Sequence, residues 1–99
     1  MPKYIVLLTE DASADAMNAY DWYEEQQVGL GDSFYEHLLG AFDQLSQQPN
    51  SGRHIELGIR KILVFTFPYA IYYSVKEDAV RVLRVQYQGR HPDTWKQMK

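Results

Sequence analysis

The chain has 99 residues, 45% of them hydrophobic and 23% charged, with a formal net charge of −3 and no cysteine. That length supports one domain around one hydrophobic core, and the missing thiols exclude a disulfide framework, a cysteine nucleophile and a thiolate metal site. The apolar stretch Tyr4 to Leu8 is too short for a membrane span or a signal-peptide core, so the expected location is the cytoplasm.

The net charge hides an asymmetry. Residues 1–50 hold nine acids against one base, Lys3, whereas residues 51–99 hold nine bases against four acids. This pattern predicts an acidic helical layer beside a basic sheet. The plainer alternative is that the two halves neutralise each other across their packed boundary.

Lys3 to Thr9 reads as a first strand, and Thr9 or Asp11 can cap the helix that follows. Ala12, Ala16, Ala19, Tyr20 and Tyr23 recur at helical spacing, predicting a helix from Ala12 to Gln27 that ends at Gly29 and Gly31. From Leu30, the positions Phe34, Leu38, Ala41, Phe42 and Leu45 predict a second helix, stopped by Pro49 to Gly52. The short link between the two makes an antiparallel hairpin lying on a sheet face. Asn50 to Gly58 is a polar connection with strand character at His54 to Leu57.

Arg60 to Tyr87 then reads as a β-meander. Its three runs are Ile62 to Phe67, Ile71 to Val75 and Val80 to Tyr87, broken at Pro68 and at Lys76-Glu77-Asp78. Both faces of the first run are apolar, which predicts a sheet covered on both sides. In the last run Val80 and Val82 are out of phase with Val85 and Tyr87, which predicts either a bulge or a face that is only partly buried. Pro92 is placed to open a short terminal helical turn, with Trp95 folding back onto the sheet. The fold class is therefore α+β: an N-terminal strand, an antiparallel two-helix hairpin, a three- to four-stranded antiparallel β-meander and a short C-terminal helical turn, in a single domain over residues 1–99.

No phosphate-binding Gly-rich loop, His-Glu-x-x-His or Gly-x-Ser-x-Gly motif occurs. His37, His54 and His91 fall in three different elements without ligand spacing, so neither a metal nor a cofactor is expected. The acid pair Glu24-Glu25 reads as a solvated helix face. What remains is a basic, aromatic set near the end of the chain: Arg60, Arg81, Arg84, Tyr87, Arg90, His91 and Trp95. Guanidinium forks bind phosphate or carboxylate, and the rings can stack on a base or anchor a peptide. The plain alternative packs Tyr87 and Trp95 as core and pairs Arg60 and Arg90 with Glu56 or Asp93.

Thr9-Glu-Asp-Ala-Ser-Ala-Asp, Asp21-Trp22-Tyr23-Glu24, Gly29-Leu30-Gly31-Asp32-Ser33-Phe34, Pro49, Arg60, Phe67-Pro68-Tyr69-Ala70-Ile71-Tyr72-Tyr73 and Arg90-His91-Pro92-Asp93-Thr94-Trp95 stand in one order across nearly the whole chain. Together they resemble the RelE/ParE toxin superfamily, on its ParE side. The resemblance implies the toxin of a bacterial toxin–antitoxin module, often associated with plasmid stabilisation, neutralised by a cognate antitoxin. ParE-like members are associated with DNA gyrase inhibition, whereas RelE-like members cleave mRNA on the ribosome. Carried over by position, Arg60 and Arg90 match the family's arginines and with Tyr87 are the catalytic candidates; from the basic, aromatic set itself, Arg60, Arg81, Arg84, Arg90, His91 and Trp95 are the candidate target or partner contacts. Tyr87 stands where many relatives carry His, and a phenol with an ordinary pKa of about 10 is a poor general base at neutral pH. The expectation is therefore an inhibitor that acts by binding. A RelE-like endoribonuclease and an inactive toxin-fold protein are the alternatives, and a toxin homodimer is left open.

Overall fold

A computed structural model describes residues 3–88. Thr9 leaves strand β1 (Ile5–Leu8) and caps helix α1 (Glu10–Gln26): its Oγ1 accepts from the Ala12 N–H at 3.1 Å, with Glu10 and Asp11 in the electropositive first turn. Ala12, Ala16, Ala19 and Tyr23 form the buried stripe of α1, and the alanines let the helix lie close to the sheet. Gly29 turns the chain at a φ of +92° and has no side chain with which to cap helix α2 (Leu30–Gln47). Glu24 caps it from α1 instead, its Oε1 accepting from the Gly29 and Gly31 N–H groups at 3.0 and 2.8 Å. A Cβ at Gly31 would lie 2.7 Å from the Tyr20 carbonyl oxygen, so the hairpin closes where only glycine fits.

The remaining strands are β2 (Arg53–Glu56), β3 (Ile59–Leu63), β4 (Tyr69–Lys76) and β5 (Ala79–Tyr87), and the sheet order is β1-β5-β4-β3-β2. Strands β2 to β5 pair antiparallel in chain order. β1 joins β5 in parallel, with Ile5 opposite Ala79 and Leu8 opposite Val82. The expected four-stranded antiparallel meander is β2 to β5, and the parallel β1 makes the five-stranded sheet as a whole mixed rather than antiparallel. The helical hairpin carries the chain from β1 at one edge of the sheet to β2 at the other, and the antiparallel strands β2 to β4 then bring β5 back beside β1 in parallel; the apolar run Tyr4–Leu8 carries no information about its neighbour's direction.

The phase change in β5 is a bulge. Tyr72 pairs with Arg84 and Tyr73 with Val82, so Leu83 is the extra residue. Val80, Val82 and Val85 are thereby all buried. The fully buried core also holds Tyr73, Phe34, Leu38, Leu45 and Ile71. Tyr23, Phe34, Phe67 and Tyr69 pack as an aromatic nucleus with ring centroids 5.1–6.1 Å apart.

β3 ends at Leu63, so the run to Phe67 is not one strand. Thr66 adopts a φ of +67°, Phe65 is 77% exposed, and Phe67 turns inward against Tyr23 and Phe34. The helices cover one sheet face. On the other, Ile5 and Leu7 are more than half exposed, so among the described residues the expected second cover is absent. The expected terminal helical turn at Pro92 lies outside the described residues. Among those residues, no helix is long and apolar enough to cross a membrane.

Candidate functional site

Strand register places Arg84, Tyr72, Lys61 and Arg53 opposite one another in a single cross-strand row. Arg81 lies in a neighbouring row, between Leu7 and Ser74. Because Val80, Val82 and Tyr73 point into the core, period-two alternation turns Arg81, Tyr72, Lys61 and Arg53 to the helix-free face, while Arg84, just past the bulge, reaches back to Asp15 of α1. Three strand spacings of about 4.8 Å give the row a span of about 14 Å. Lys61 Nζ stands 5.7 Å from the Tyr72 ring centroid.

Charge is only slightly neutralised between the layers. No Lys or Arg occurs between Lys3 and Arg53, so the helical layer is acidic throughout. Among the described residues the ion pairs are Lys3–Asp43 and Arg84–Asp15, and neither involves Arg53, Lys61 or Arg81.

Arg84 is committed within the molecule. Its Nε and Nη2 donate to Asp15 Oδ2 and Oδ1 at 2.8 and 3.0 Å, and this hydrogen bond pushes the guanidinium pKa further up. Asp15 Oδ2 also accepts from the Val85 N–H at 3.0 Å. Arg60 faces the helix side, its Nη1 donating to the Gly52 and Asn50 carbonyls at 2.7 and 3.3 Å rather than pairing with Glu56. Beside it, the Tyr73 hydroxyl accepts from the Gly52 N–H at 2.9 Å and donates to the Pro49 carbonyl at 2.8 Å. Arg60 is thus part of a clamp on the 49–52 segment. Tyr87 packs edge-on against Tyr69 at 5.7 Å. Burial, then the neighbouring Tyr23, Tyr87 and Asp15, push the Tyr69 phenol up to about 12.

Arg60 pairs with Tyr73, and Tyr87 with Tyr69, so they are four residues apart along β4 and two strands apart across the sheet. That separation is about 16 Å at the backbone. The structure therefore does not bring these two candidates into one site. Arg90, His91 and Trp95 lie outside the described residues. Sequence reading missed Arg53, Lys61 and Tyr72, which become neighbours only once the antiparallel register is known.

The row contains cations and a phenol but no histidine or carboxylate, so it is equipped to hold an anionic surface rather than to relay protons. His37 Nδ1 lies 2.8 Å from the Ser33 carbonyl and its ring stacks on Phe65, while His54 Nε2 accepts from the Gly58 N–H at 3.2 Å. Both imidazoles serve local structure. Among the described residues no three His, Asp or Glu side chains are grouped to hold a metal ion.

No curated protein matches the chain in sequence. Among solved structures, a chain of the chromosomal ParDE TA system from P. aeruginosa shares the fold with a TM-score of 0.77 and 21% identity, over 87% of this chain and 97% of that one. The family model for the ParE toxin of the type II toxin–antitoxin system, parDE, matches residues 6–92. With that model spanning nearly the whole sequence, the chain belongs to the ParE toxin family of type II toxin–antitoxin systems.

Proposed function

We propose that this toxin acts in the cytoplasm by binding and inhibiting a large target, with DNA gyrase favoured by its family, and that a cognate antitoxin neutralises it. The observation that carries this reading is the set Arg53, Lys61 and Arg81 on the helix-free face, cations in neighbouring cross-strand rows with no proton-relay group among them. Arg53, Lys61 and Arg81 are its target contacts. Arg90, His91 and Trp95 extend the candidate contact set beyond the described residues. RelE-like cleavage of ribosome-bound mRNA is the second reading, because the same cations and the Tyr72 ring would suit RNA phosphates and bases.

The test is expression from a tight promoter in a bacterium lacking the antitoxin, with Lys61→Ala, Arg81→Ala and Arg90→Ala variants verified as folded. Growth arrest relieved by Lys61→Ala or Arg81→Ala, with supercoiling by gyrase inhibited in the purified system, is the expected result. Ribosome-dependent mRNA cleavage would establish the second reading. Normal growth with abundant folded protein would overturn both and leave a toxin fold that only binds.

A further inference from the structure

β1 is one edge of the sheet. The Ile5 N–H donates to the Asp78 carbonyl and the Thr9 N–H to the Val82 carbonyl, so in this parallel ladder Ile5, Leu7 and Thr9 turn their backbone groups toward β5. Val6 and Leu8 alternate with them and turn their N–H and C=O groups outward, where they find no backbone partner among the described residues. On one side this open stretch is bounded by Tyr4, whose N–H donates to the Ser46 carbonyl of α2 at 2.8 Å, and on the other by Glu10, where α1 begins. It lacks the devices that blunt an edge. The run Ile5–Leu8 holds no charge, no proline and no bulge. Ile5 and Leu7, the latter in register with Arg81, lie on the helix-free face and are 56% and 54% exposed. β2, the opposite edge, carries Arg53 and Glu56 and a bulge between His54 and Glu56.

We infer that this edge is an interface between two copies of the chain, which pair β1 with β1 antiparallel about a two-fold axis at Leu7 and so join their five-stranded sheets into one. Hydrogen bonding fixes the axis. With Leu7 opposite Leu7 of the second copy, Val6 faces Leu8 of the second copy and the two exchange both N–H···O=C bonds, so that by symmetry every outward group of the open stretch is satisfied. An axis at Val6 would set Leu8 against Tyr4, whose N–H is already taken by Ser46, and an axis at Leu8 would set Val6 against Glu10 inside α1. Charge agrees with the register. Lys3, the lone base among residues 1–50, comes opposite Asp11 of the second copy in the acidic first turn of α1. Its own pair with Asp43 is long, 3.9 Å, and solvated, and does not hold it back. Ile5 lands beside the open cavity of about 610 Å³ that Leu7, Thr9, Arg81 and Leu83 line in the other copy. Each Arg81 lies one strand in from the seam, so three strand spacings set the two about 14 Å apart, and two cationic faces become one.

Sedimentation equilibrium of the full chain, with amide exchange and cysteine cross-linking, tests the seam. The parent is expected to show a monomer–dimer equilibrium in which the Val6 and Leu8 amides exchange more slowly as concentration rises. Leu7→Lys sets two ammonium groups opposite each other at the axis and removes two leucines from the seam, so it is expected to weaken the dimer at least about tenfold. The chain has no cysteine of its own. At the axis Leu7 faces itself in a non-hydrogen-bonded pair, where side chains lie close enough for a disulfide. Leu7→Cys is therefore expected to cross-link to a dimer under mild oxidation, whereas Met17→Cys, 63% exposed on α1, is not. A chain that stays monomeric up to its solubility, with those two amides exchanging freely, would overturn the inference. A dimer that Leu7→Lys leaves intact and Leu7→Cys fails to cross-link would place the interface elsewhere and overturn it too. So would Val6 and Leu8 amides protected in the monomer, which would assign the edge to another segment of the same chain. Each of these outcomes bears on the seam and leaves the target reading standing.

Discussion

Tyr73→Phe removes one oxygen atom from the centre of the protein. Tyr73 is fully buried, and its hydroxyl accepts from the Gly52 N–H and donates to the Pro49 carbonyl. Phenylalanine keeps the ring and its packing but strands both backbone groups, and Gly52 and Pro49 are themselves buried. A buried polar group left without a partner costs about 1–3 kcal/mol, so the substitution should cost about 3 kcal/mol in total. In a domain whose whole stability is about 5–15 kcal/mol, that corresponds to a Tm lower by about 12–24 °C. Urea denaturation followed by tryptophan fluorescence and circular dichroism measures it. Tyr72→Phe is the control: Tyr72 is only partly buried, and among the described residues its hydroxyl meets the Gln88 amide alone, at 3.4 Å, so the cost should stay below about 0.5 kcal/mol. Equal midpoints for Tyr73→Phe and the parent would refute the clamp. The same clamp contains Arg60, so Arg60→Ala should cost about 1–2 kcal/mol through the Gly52 and Asn50 carbonyls it leaves. Any loss of toxicity in that variant must therefore be read against its folded fraction.

Asp15→Ala should cost about 2 kcal/mol because it strands the Val85 N–H, whereas Asp15→Asn, which keeps an acceptor there, should cost about half as much; equal losses would mean that the Arg84 ion pair alone matters. Glu24→Ala should destabilise by about 1 kcal/mol in the same denaturation assay by uncapping α2, and Glu24→Gln should recover most of it. Tyr69 ionises near 12 in the folded chain and near its ordinary 10 when unfolded, so its contribution to stability is complete below pH 10 and is lost as the pH rises from 10 through about 12. Ultraviolet titration should show one phenol ionising well after the others, and its absence would contradict the buried placement. Gly52→Ala should fail to fold stably, since the added Cβ meets the Tyr73 hydroxyl and lies 2.9 Å from the Lys61 carbonyl oxygen.

Much of this architecture was legible in the chain. Helical spacing of Ala12, Ala16, Ala19 and Tyr23 marked α1, the pattern from Leu30 to Gln47 marked α2, and Thr9 was one of two cap candidates with Asp11, between which the structure chose. The phase slip between Val82 and Val85 anticipated the bulge at Leu83. These features are local: each depends on periodicity or on a hydrogen bond reaching at most a few residues. The ordered motifs also carried the family. The partners, by contrast, were decided by the tertiary structure. Arg84 answers to Asp15, sixty-nine residues away, and Arg60 to carbonyls in the 49–52 segment, so two of the candidate arginines hold the molecule together whatever else they touch. Arg53, Lys61 and Arg81 share a face only because antiparallel register sets Arg53 opposite Lys61 and alternation turns Arg81 outward. The sequence by itself determined the elements, the segregation of charge and the family, because composition and period are properties of neighbouring residues. Which side chains meet, which strand edge stays open and which cations remain available were decided by packing, because those depend on contacts between residues that the sequence holds far apart.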